Sequence, residues 1–225
     1  MLLTISGVLT QDMLQAARKD MDALSWRDGT ETAGGIARRV KRNEQADLKT
    51  GTGPKVKARF EKAIQNHPVF LSAARPKAMS PLIVSKTSAE GGYGLHIDNA
   101  HMGKGAQRIR TDLSFTLFVS EPDEYEGGEL VIEHPGATEM LKPAAGDLVL
   151  YPSTTMHKVA TVTSGVRLAC VGWVESYFRD ERQREVIFDL ENLKASVQAK
   201  FSPESPEVLT LQKTMANLTR MWSGI

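Results

Sequence analysis

The chain is organised around the stretch from Tyr93 to Arg167, in which three short segments carry the chemistry. They read Tyr93-Gly-Leu-His96-Ile-Asp98-Asn99, Thr155-Met-His157-Lys-Val159 and Ser164-Gly-Val-Arg167-Leu-Ala169. The first segment contains His-x-Asp, and alternation along a β-strand places residues i and i+2 on the same face. His96 and Asp98 can therefore converge on one metal ion, with His157 supplied by a distant strand. The three segments predict a metal site.

The predicted ligands also indicate which chemistry the metal performs. Two His and one carboxylate on one face of an octahedron leave three positions open, which is the arrangement of non-haem Fe(II) oxygenases. His101 is a second candidate for the third ligand, because it lies close to Asp98 in the sequence. A residue three positions after Asp98 leaves the strand face, however, so we favour His157.

Arg167 makes the set more specific. The segment that it begins indicates a strand with Arg167, Ala169, Val171 and Trp173 on one face. A guanidinium among apolar neighbours is costly unless it meets an anion, and a carboxylate matches its fork of N–H donors. If a metal holds one end of a short diacid, Arg167 is placed to hold the other. The most economical such diacid is 2-oxoglutarate.

The spacing of apolar segments and turn residues along the sequence predicts the fold. From Pro81 onward, short apolar segments alternate with breaks that contain Gly or Pro. We predict eight strands, near residues 81–86, 94–98, 111–119, 129–133, 138–141, 147–151, 157–162 and 166–175. Eight short strands at this spacing predict a double-sheet jelly roll.

Helices are predicted on both sides of the strands. Thr10 is a candidate N-cap for a helix over 11–24, and Pro54 begins a second that ends before His67. Residues 2–9 fit an edge strand. The predicted fold class is α+β with a mainly β core, N-terminal helices packed on it and a C-terminal helical extension.

Composition narrows the functional classes. The 225 residues carry a net charge of +1, which gives no general attraction to nucleic acid or membranes. Cys170 is the single cysteine, so an internal disulfide is excluded. The first residues have no basic region and no long apolar run, so they do not indicate a signal peptide. No stretch approaches the roughly 18 apolar residues of a membrane span. A cytoplasmic protein is expected.

The chain resembles a known family. It is similar to the Fe(II)- and 2-oxoglutarate-dependent dioxygenases, and among them to the bacterial PKHD-type (prolyl/lysyl hydroxylase domain) hydroxylases. The segments that carry the resemblance include Val40-Lys-Arg-Asn43, Tyr93–Ala100, Arg110-Thr-Asp-Leu-Ser114, Tyr125-Glu-Gly-Gly-Glu129, Pro143-Ala-Ala-Gly-Asp147 and Trp173–Asp180. The resemblance implies a double-stranded β-helix that uses Fe(II), 2-oxoglutarate and O2, with ascorbate as a candidate reductant. It also implies hydroxylation of a C–H bond with release of succinate and CO2.

The resemblance and the pattern of elements together suggest a division of the chain. We expect a dioxygenase domain over 1–175, with its jelly-roll core over about 81–175, and a helical extension over 176–225. Ser205 as N-cap and Pro206 after it predict the start of a final helix. A homodimer through these C-terminal helices is one way to bury their apolar stripes.

The substrate is the least constrained part of the prediction. The family name suggests a peptidyl prolyl or lysyl side chain, and a small molecule related to iron uptake is the other candidate. Arg110, Asp112 and residues 121–128 are candidates for the rim of the site. The basic cluster Arg38, Arg39, Lys41 and Arg42 is interpreted as a solvated rim or as a contact for an acidic substrate.

Two other classes compete with a hydroxylase. A metal-binding jelly roll without catalytic activity, such as a sensor or storage protein, would leave Arg167 in a structural role. A zinc hydrolase could use the same three ligands, but no nearby Glu or His is an evident general base.

Overall fold

The computed structural model of the chain describes residues 1–32, 37–105 and 108–224. Its helices are α1 (Gln11–Met21), α2 (Gly53–Asn66), α3 (Pro68–Ala74), α4 (Glu181–Gln198) and α5 (Pro206–Trp222). Its strands are β1 (Leu3–Ile5), β2 (Trp26–Asp28), β3 (Lys41–Arg42), β4 (Glu44–Ala46), β5 (Pro76–Met79), β6 (Ile83–Ser88), β7 (Gly92–His96), β8 (His101–Met102), β9 (Ile109–Arg110), β10 (Leu113–Phe118), β11 (Tyr125–Gly127), β12 (Leu130–His134), β13 (Ala137–Leu141), β14 (Leu148–Pro152), β15 (Met156–Val159) and β16 (Val162–Ser176). All eight predicted strands are confirmed, with ends that differ by a few residues.

Two antiparallel sheets form the centre of the molecule. The larger follows the order β1-β14-β10-β16-β6-β4-β2, and β5 and β11 also pair with the long strand β16. The smaller follows β13-β12-β15-β7-β3. Side chains from both sheets line one cavity, so the predicted double-stranded β-helix is confirmed. Among the described strands, β1 pairs only with β14 and lies at the edge of the sheet, as expected.

Alternation along β10 separates the core from the cavity. Phe115 and Leu117 are buried against the N-terminal helices, and the ring of Phe70 from α3 meets Phe115 edge-on at 5.8 Å. Ser114 and Thr116 point to the other face and line the cavity. The helices therefore supply the apolar support that fixes this strand, since burying each large apolar side chain contributes about 1.5–3 kcal/mol.

The N-terminal third contains more regular structure than the sequence indicates. The sequence analysis predicts no strand between residues 26 and 46, yet β2, β3 and β4 lie there and extend both sheets. Helix α2 ends at Asn66 as predicted, and α3 follows at once from Pro68 because proline is well suited to the first turn of a helix. Helix α1 begins after Thr10, whose hydroxyl accepts the Met13 N–H, and it ends at Met21 rather than residue 24.

The C-terminal helices are attached to the end of β16. The Ser205 side chain accepts the Val208 N–H and begins α5, as predicted. Arg184 of α4 is buried and donates to the carbonyls of Phe178 and Arg179. The division into two units at residue 175 stays a prediction. Within the described residues, every helix is too short or too polar to cross a lipid bilayer.

Candidate active site

A cavity of about 310 Å³ lies between the two sheets. Strands β6, β10 and β16 form one wall, and β7, β12 and β15 form the other. His96, Asp98, His157 and Arg167 all line it, so the structure brings together the four residues that the sequence singles out. His101 lies on the exposed strand β8 and does not join the other two imidazoles.

The two imidazoles and the carboxylate form one cluster. His157 and His96 are directly paired across β15 and β7. The Nε2 atom of His96 is 3.8 Å from Asp98 Oδ1, and that of His157 is 3.6 Å from Asp98 Oδ2. Two ligand atoms that share a metal at bonds of about 2.1 Å are at most about 4.2 Å apart. Both measured separations, each to a different oxygen of Asp98, satisfy that limit, and one ligand atom of each of the three side chains lies within 4.8 Å of the other two. The three side chains are therefore a candidate site for one ion.

One part of the sequence argument needs correction. His96 and Asp98 do not share a strand, because β7 ends at His96. The in–out alternation nevertheless continues past the strand end, since Ile97 is 58% exposed while Asp98 faces the cluster. The convergence therefore depends on the conformation of the loop after β7 as well as on the strand.

Hydrogen bonds orient each member of the cluster. The Nδ1 atom of His96 is 2.8 Å from the Gly94 carbonyl, and that of His157 is 3.1 Å from the Thr155 carbonyl. Because a carbonyl only accepts, each Nδ1 carries the proton and each Nε2 presents its lone pair to the cluster. Burial, reinforced by the neighbouring His157, lowers the pKa of His96 to about 4, so that ring is neutral near pH 7.

Two serines support the carboxylate, and the sequence analysis missed both. The Ser114 hydroxyl donates to Asp98 Oδ2 at 2.6 Å and lies 2.7 Å from the Ser153 hydroxyl. The available signal was Ser114 in the otherwise apolar Leu113-Ser-Phe-Thr-Leu-Phe118, where alternating small polar residues mark the cavity face. This contact holds Asp98 in place although it lies outside the strand.

Arg167 occupies the inner end of the cavity. Its side chain is 2% exposed, and its Cζ lies 5.1 Å from the centre of the Phe118 ring. Among the described residues, its Nε and Nη2 make no hydrogen bond of good geometry, and the Tyr125 hydroxyl, which lies beside the guanidinium, likewise lacks one. Burial lowers the pKa of Arg167, whereas the nearby Tyr125 and Tyr151 act to raise it. A buried cation with unused donors is costly, and an anion between these groups would remove that cost.

Lys41 and Tyr93 complete the wall near the imidazoles. The Tyr93 ring stacks on His96 at a centroid distance of 3.6 Å, and the Lys41 ammonium lies 5.2 Å from the Tyr93 centroid. Burial lowers the pKa of Lys41 to about 8, so the side chain is mainly charged at pH 7. Sequence reasoning placed Lys41 in a solvated basic cluster, whereas the structure turns it into the cavity.

The predicted rim residues lie elsewhere. Arg110 and Asp112 form a two-contact ion pair at 2.6 and 2.8 Å, and Asp112 also accepts the Ser176 N–H. Neither these residues nor 121–128 line the cavity. Arg110 and Asp112 instead form hydrogen bonds with the backbone of Ser176 at the end of β16. Asn99, Met102, Gly103 and Trp173 do line the cavity.

Comparison with known proteins agrees with this geometry. Residues 82–175 match the model of the 2OG-Fe(II) oxygenase superfamily. A PKHD-type hydroxylase of Hyphomonas neptunium is 50% identical over 224 residues, covering 100% of both chains. A PKHD-type hydroxylase of a Shewanella species is 40% identical over 225 residues, again covering 100% of both.

Solved structures share the fold at low sequence identity. A prolyl hydroxylase of Trichoplax adhaerens, in complex with a hypoxia-inducible-factor peptide fragment, superposes with a TM-score of 0.55 at 14% identity, over 82% of this chain and 86% of that one. HygX of Streptomyces hygroscopicus, with nickel and 2-oxoglutarate bound, gives 0.53 at 14% identity, over 79% and 84%.

The reaction class expected from the sequence is confirmed. Full-length relatives named hydroxylases and the superfamily match favour an enzyme over the metal-binding protein without activity and over the zinc hydrolase. The cofactors of that class are Fe(II), 2-oxoglutarate and O2. The chain belongs to the PKHD-type hydroxylases of the 2OG-Fe(II) oxygenase superfamily and is an Fe(II)- and 2-oxoglutarate-dependent hydroxylase.

Proposed function

We propose that His96, Asp98 and His157 hold the Fe(II), and that Arg167 binds the distal carboxylate of 2-oxoglutarate. The donor set fits the metal, because two imidazoles and a carboxylate meet within 4.8 Å, and two His with one carboxylate are the ligands of non-haem Fe(II) oxygenases. The keto acid would fill two of the open positions. The observation that carries the proposal is the buried guanidinium of Arg167, whose unused N–H groups face the same cavity.

The bound groups supply the oxidation: 2-oxoglutarate and O2 become succinate and CO2, and one oxygen atom enters a substrate C–H bond. The residues of the chain bind and orient the reactants. Arg167 fixes which end of the cosubstrate faces the metal, and Tyr125 offers a second donor to the same carboxylate. Ser114 keeps Asp98 aligned, and the Tyr93 ring holds His96. The closed inner end of the cavity keeps water from the charged contact.

The substrate is proposed to be a peptide segment or a small molecule that enters between Met102 and Trp173. The buried indole N–H of Trp173 finds no acceptor among the described residues, and Trp173 lines the cavity. A backbone carbonyl of a peptide would satisfy this donor, which favours a peptidyl prolyl or lysyl substrate over an apolar small molecule. Ascorbate as reductant, a homodimer through the C-terminal helices and a cytoplasmic location stay predictions.

An anaerobic absorption titration tests the four residues together. Apo-protein receives Fe(II) and then 2-oxoglutarate, and a visible charge-transfer band that needs both additions reports the chelated cosubstrate. We expect His157→Ala to abolish the band and Arg167→Met to shift it to much higher 2-oxoglutarate concentrations. His101→Ala is the matched control and should leave the band intact. If iron binds to the wild-type protein but saturating 2-oxoglutarate gives no band, the proposal fails.

A further inference from the structure

A second cavity opens directly beside the active-site cavity. It has a volume of about 390 Å³, and three cationic side chains, those of Arg39, Arg42 and Lys158, lie on its wall. Both cavities share Gly92, Tyr93 and Val159 as lining residues. The two cavities are therefore adjacent, and the ring of Tyr93, one of the shared residues, stacks on His96.

The local strands explain why cations collect at this point. Strand β3 pairs with β7, so that Lys41 lies opposite Tyr93 and Arg42 lies opposite Gly92. Because side chains alternate along a strand, Lys41 turns into the active-site cavity and Arg42 turns to the second cavity. Lys158 follows His157 on β15 and alternates in the same way, with His157 buried towards the cluster. The two strands that flank β7 thus each send one residue to each cavity.

The charges of the second cavity are not balanced from within the protein. In the part of the chain that the structure describes, no carboxylate lies within 4.0 Å of the charged groups of Arg39, Arg42 or Lys158, whereas Lys86 is paired with Glu44 at 2.7 Å. Glu90 is the one acidic residue on the wall. Three like charges around a concave surface repel one another, and they concentrate a positive potential in the space between them.

The size and position of this cavity favour an acidic peptide over other anions. The whole chain has a net charge of +1, which gives no general attraction to a nucleic acid. At roughly 3.3 Å per residue, two or three residues of an extended peptide span about 7–10 Å, which is the reach needed from a residue at the metal cluster to the cationic side chains. Its side-chain carboxylates would then meet the arginines and the lysine.

We propose that this basic cavity, formed by Arg39, Arg42 and Lys158, is a subsite for the substrate and binds Asp or Glu side chains two or three positions from the residue that is hydroxylated. The inference rests on the proposed function, since it needs the reacting carbon at the His96 cluster. It specifies that the preferred substrate is an acidic peptide segment. Lys41 lies between the two cavities and adds to the attraction from the active-site side.

Two fluorescein-labelled hexapeptides test the subsite. Both carry one proline. The second and third residues after that proline are Glu-Glu in one peptide and Gln-Gln in the other. Fluorescence anisotropy gives their Kd values for the anaerobic enzyme loaded with Fe(II) and 2-oxoglutarate. We expect the Glu peptide to bind at least about tenfold more tightly, which is about 1.4 kcal/mol, and to lose that advantage as salt rises.

Matched variants locate the effect. The double variant R42Q/K158Q should bind both peptides with the affinity that the wild type shows for the Gln peptide. Lys213→Gln removes an exposed charge from α5, outside both cavities, and should change nothing. Equal binding of the two peptides to the wild type, no measurable binding of either, or an equal loss in Lys213→Gln would overturn the inference.

The charge-transfer band separates the two possible failures. It is recorded in the same samples, and it should be present in the wild type and in all variants. If the wild type has no band, the proposed function itself fails. If the band is present but the Glu peptide has no advantage, the metal and cosubstrate assignment stands and the acidic subsite alone is wrong. Retention of the band in R42Q/K158Q also shows that this variant is folded.

Discussion

Replacing Arg167 by Met should affect the free and the loaded protein in opposite ways. In the free protein, the guanidinium is 2% exposed and its Nε and Nη2 have no partner among the described residues. Removing a buried, unsatisfied charge while keeping most of the apolar volume is neutral or stabilising. The melting temperature of the apo-variant should therefore equal or exceed that of the wild type.

The loaded protein should lose affinity for 2-oxoglutarate. Deleting one partner of a buried, hydrogen-bonded charge pair costs about 2–5 kcal/mol, and about 3 kcal/mol corresponds to a roughly 100-fold rise in Kd. At a concentration of about 100 times the wild-type Kd, the ligand stabilises the wild type by about 2.7 kcal/mol. The variant would gain about 0.4 kcal/mol under the same conditions. At about 2–4 °C per kcal/mol, the shifts are about 5–11 °C and about 1 °C.

Thermal unfolding with and without 2-oxoglutarate, in the presence of Mn(II), measures both effects. Arg184→Met is the matched control, because Arg184 is equally buried at 3% exposure but donates to two backbone carbonyls. That variant should unfold at a lower temperature and keep the full shift with 2-oxoglutarate. If Arg167→Met is stabilised by 2-oxoglutarate as much as the wild type, Arg167 does not bind the cosubstrate and the reasoning is refuted.

Three further predictions concern the support of the site and the core. Ser114→Ala removes the donor to Asp98 and should weaken metal binding about 10–100-fold in a Co(II) titration, and an unchanged Kd would show that Ser114 does not position the carboxylate. Cys170 is fully buried, and burial raises the pKa of its thiol, so a disulfide reagent should label it only after unfolding; fast labelling of the native protein would contradict this. Gly172→Ala would put a Cβ 2.6 Å from the Phe115 ring and should lower the free energy of unfolding by about 1–3 kcal/mol in urea, whereas an unchanged midpoint would mean that Phe115 moves freely.

Much of the barrel could be predicted from local sequence because its signals are local. Glycine and proline breaks separate short apolar segments, and each of the eight predicted strands exists. The N-caps Thr10 and Ser205 could also be predicted from the sequence. An N-cap hydroxyl accepts the backbone N–H three residues later, so the contact depends only on neighbouring residues. The residues that converge on the cavity could be selected because their chemistry is demanding: His, Asp and Arg on apolar strands need partners.

The parts that the sequence could not supply depend on contacts between distant strands. Ser114 supports Asp98 from β10, and nothing near Asp98 in the sequence marks that contact. Arg42 and Lys158 face one cavity because β3 and β15 both pair with β7. Strands β2, β3 and β4 could not be predicted, because they are only two or three residues long and depend on pairing with one another and with β6 and β7.

The most direct test of the central claim is a crystal structure of the protein loaded anaerobically with Mn(II) and 2-oxoglutarate, with anomalous diffraction to locate the metal. The account predicts one anomalous peak at about 2.0–2.3 Å from the Nε2 atoms of His96 and His157 and from a carboxylate oxygen of Asp98. It also predicts the distal carboxylate within about 3.2 Å of the Arg167 guanidinium. A metal held by other residues, or a cosubstrate whose distal carboxylate lies away from Arg167, would contradict it.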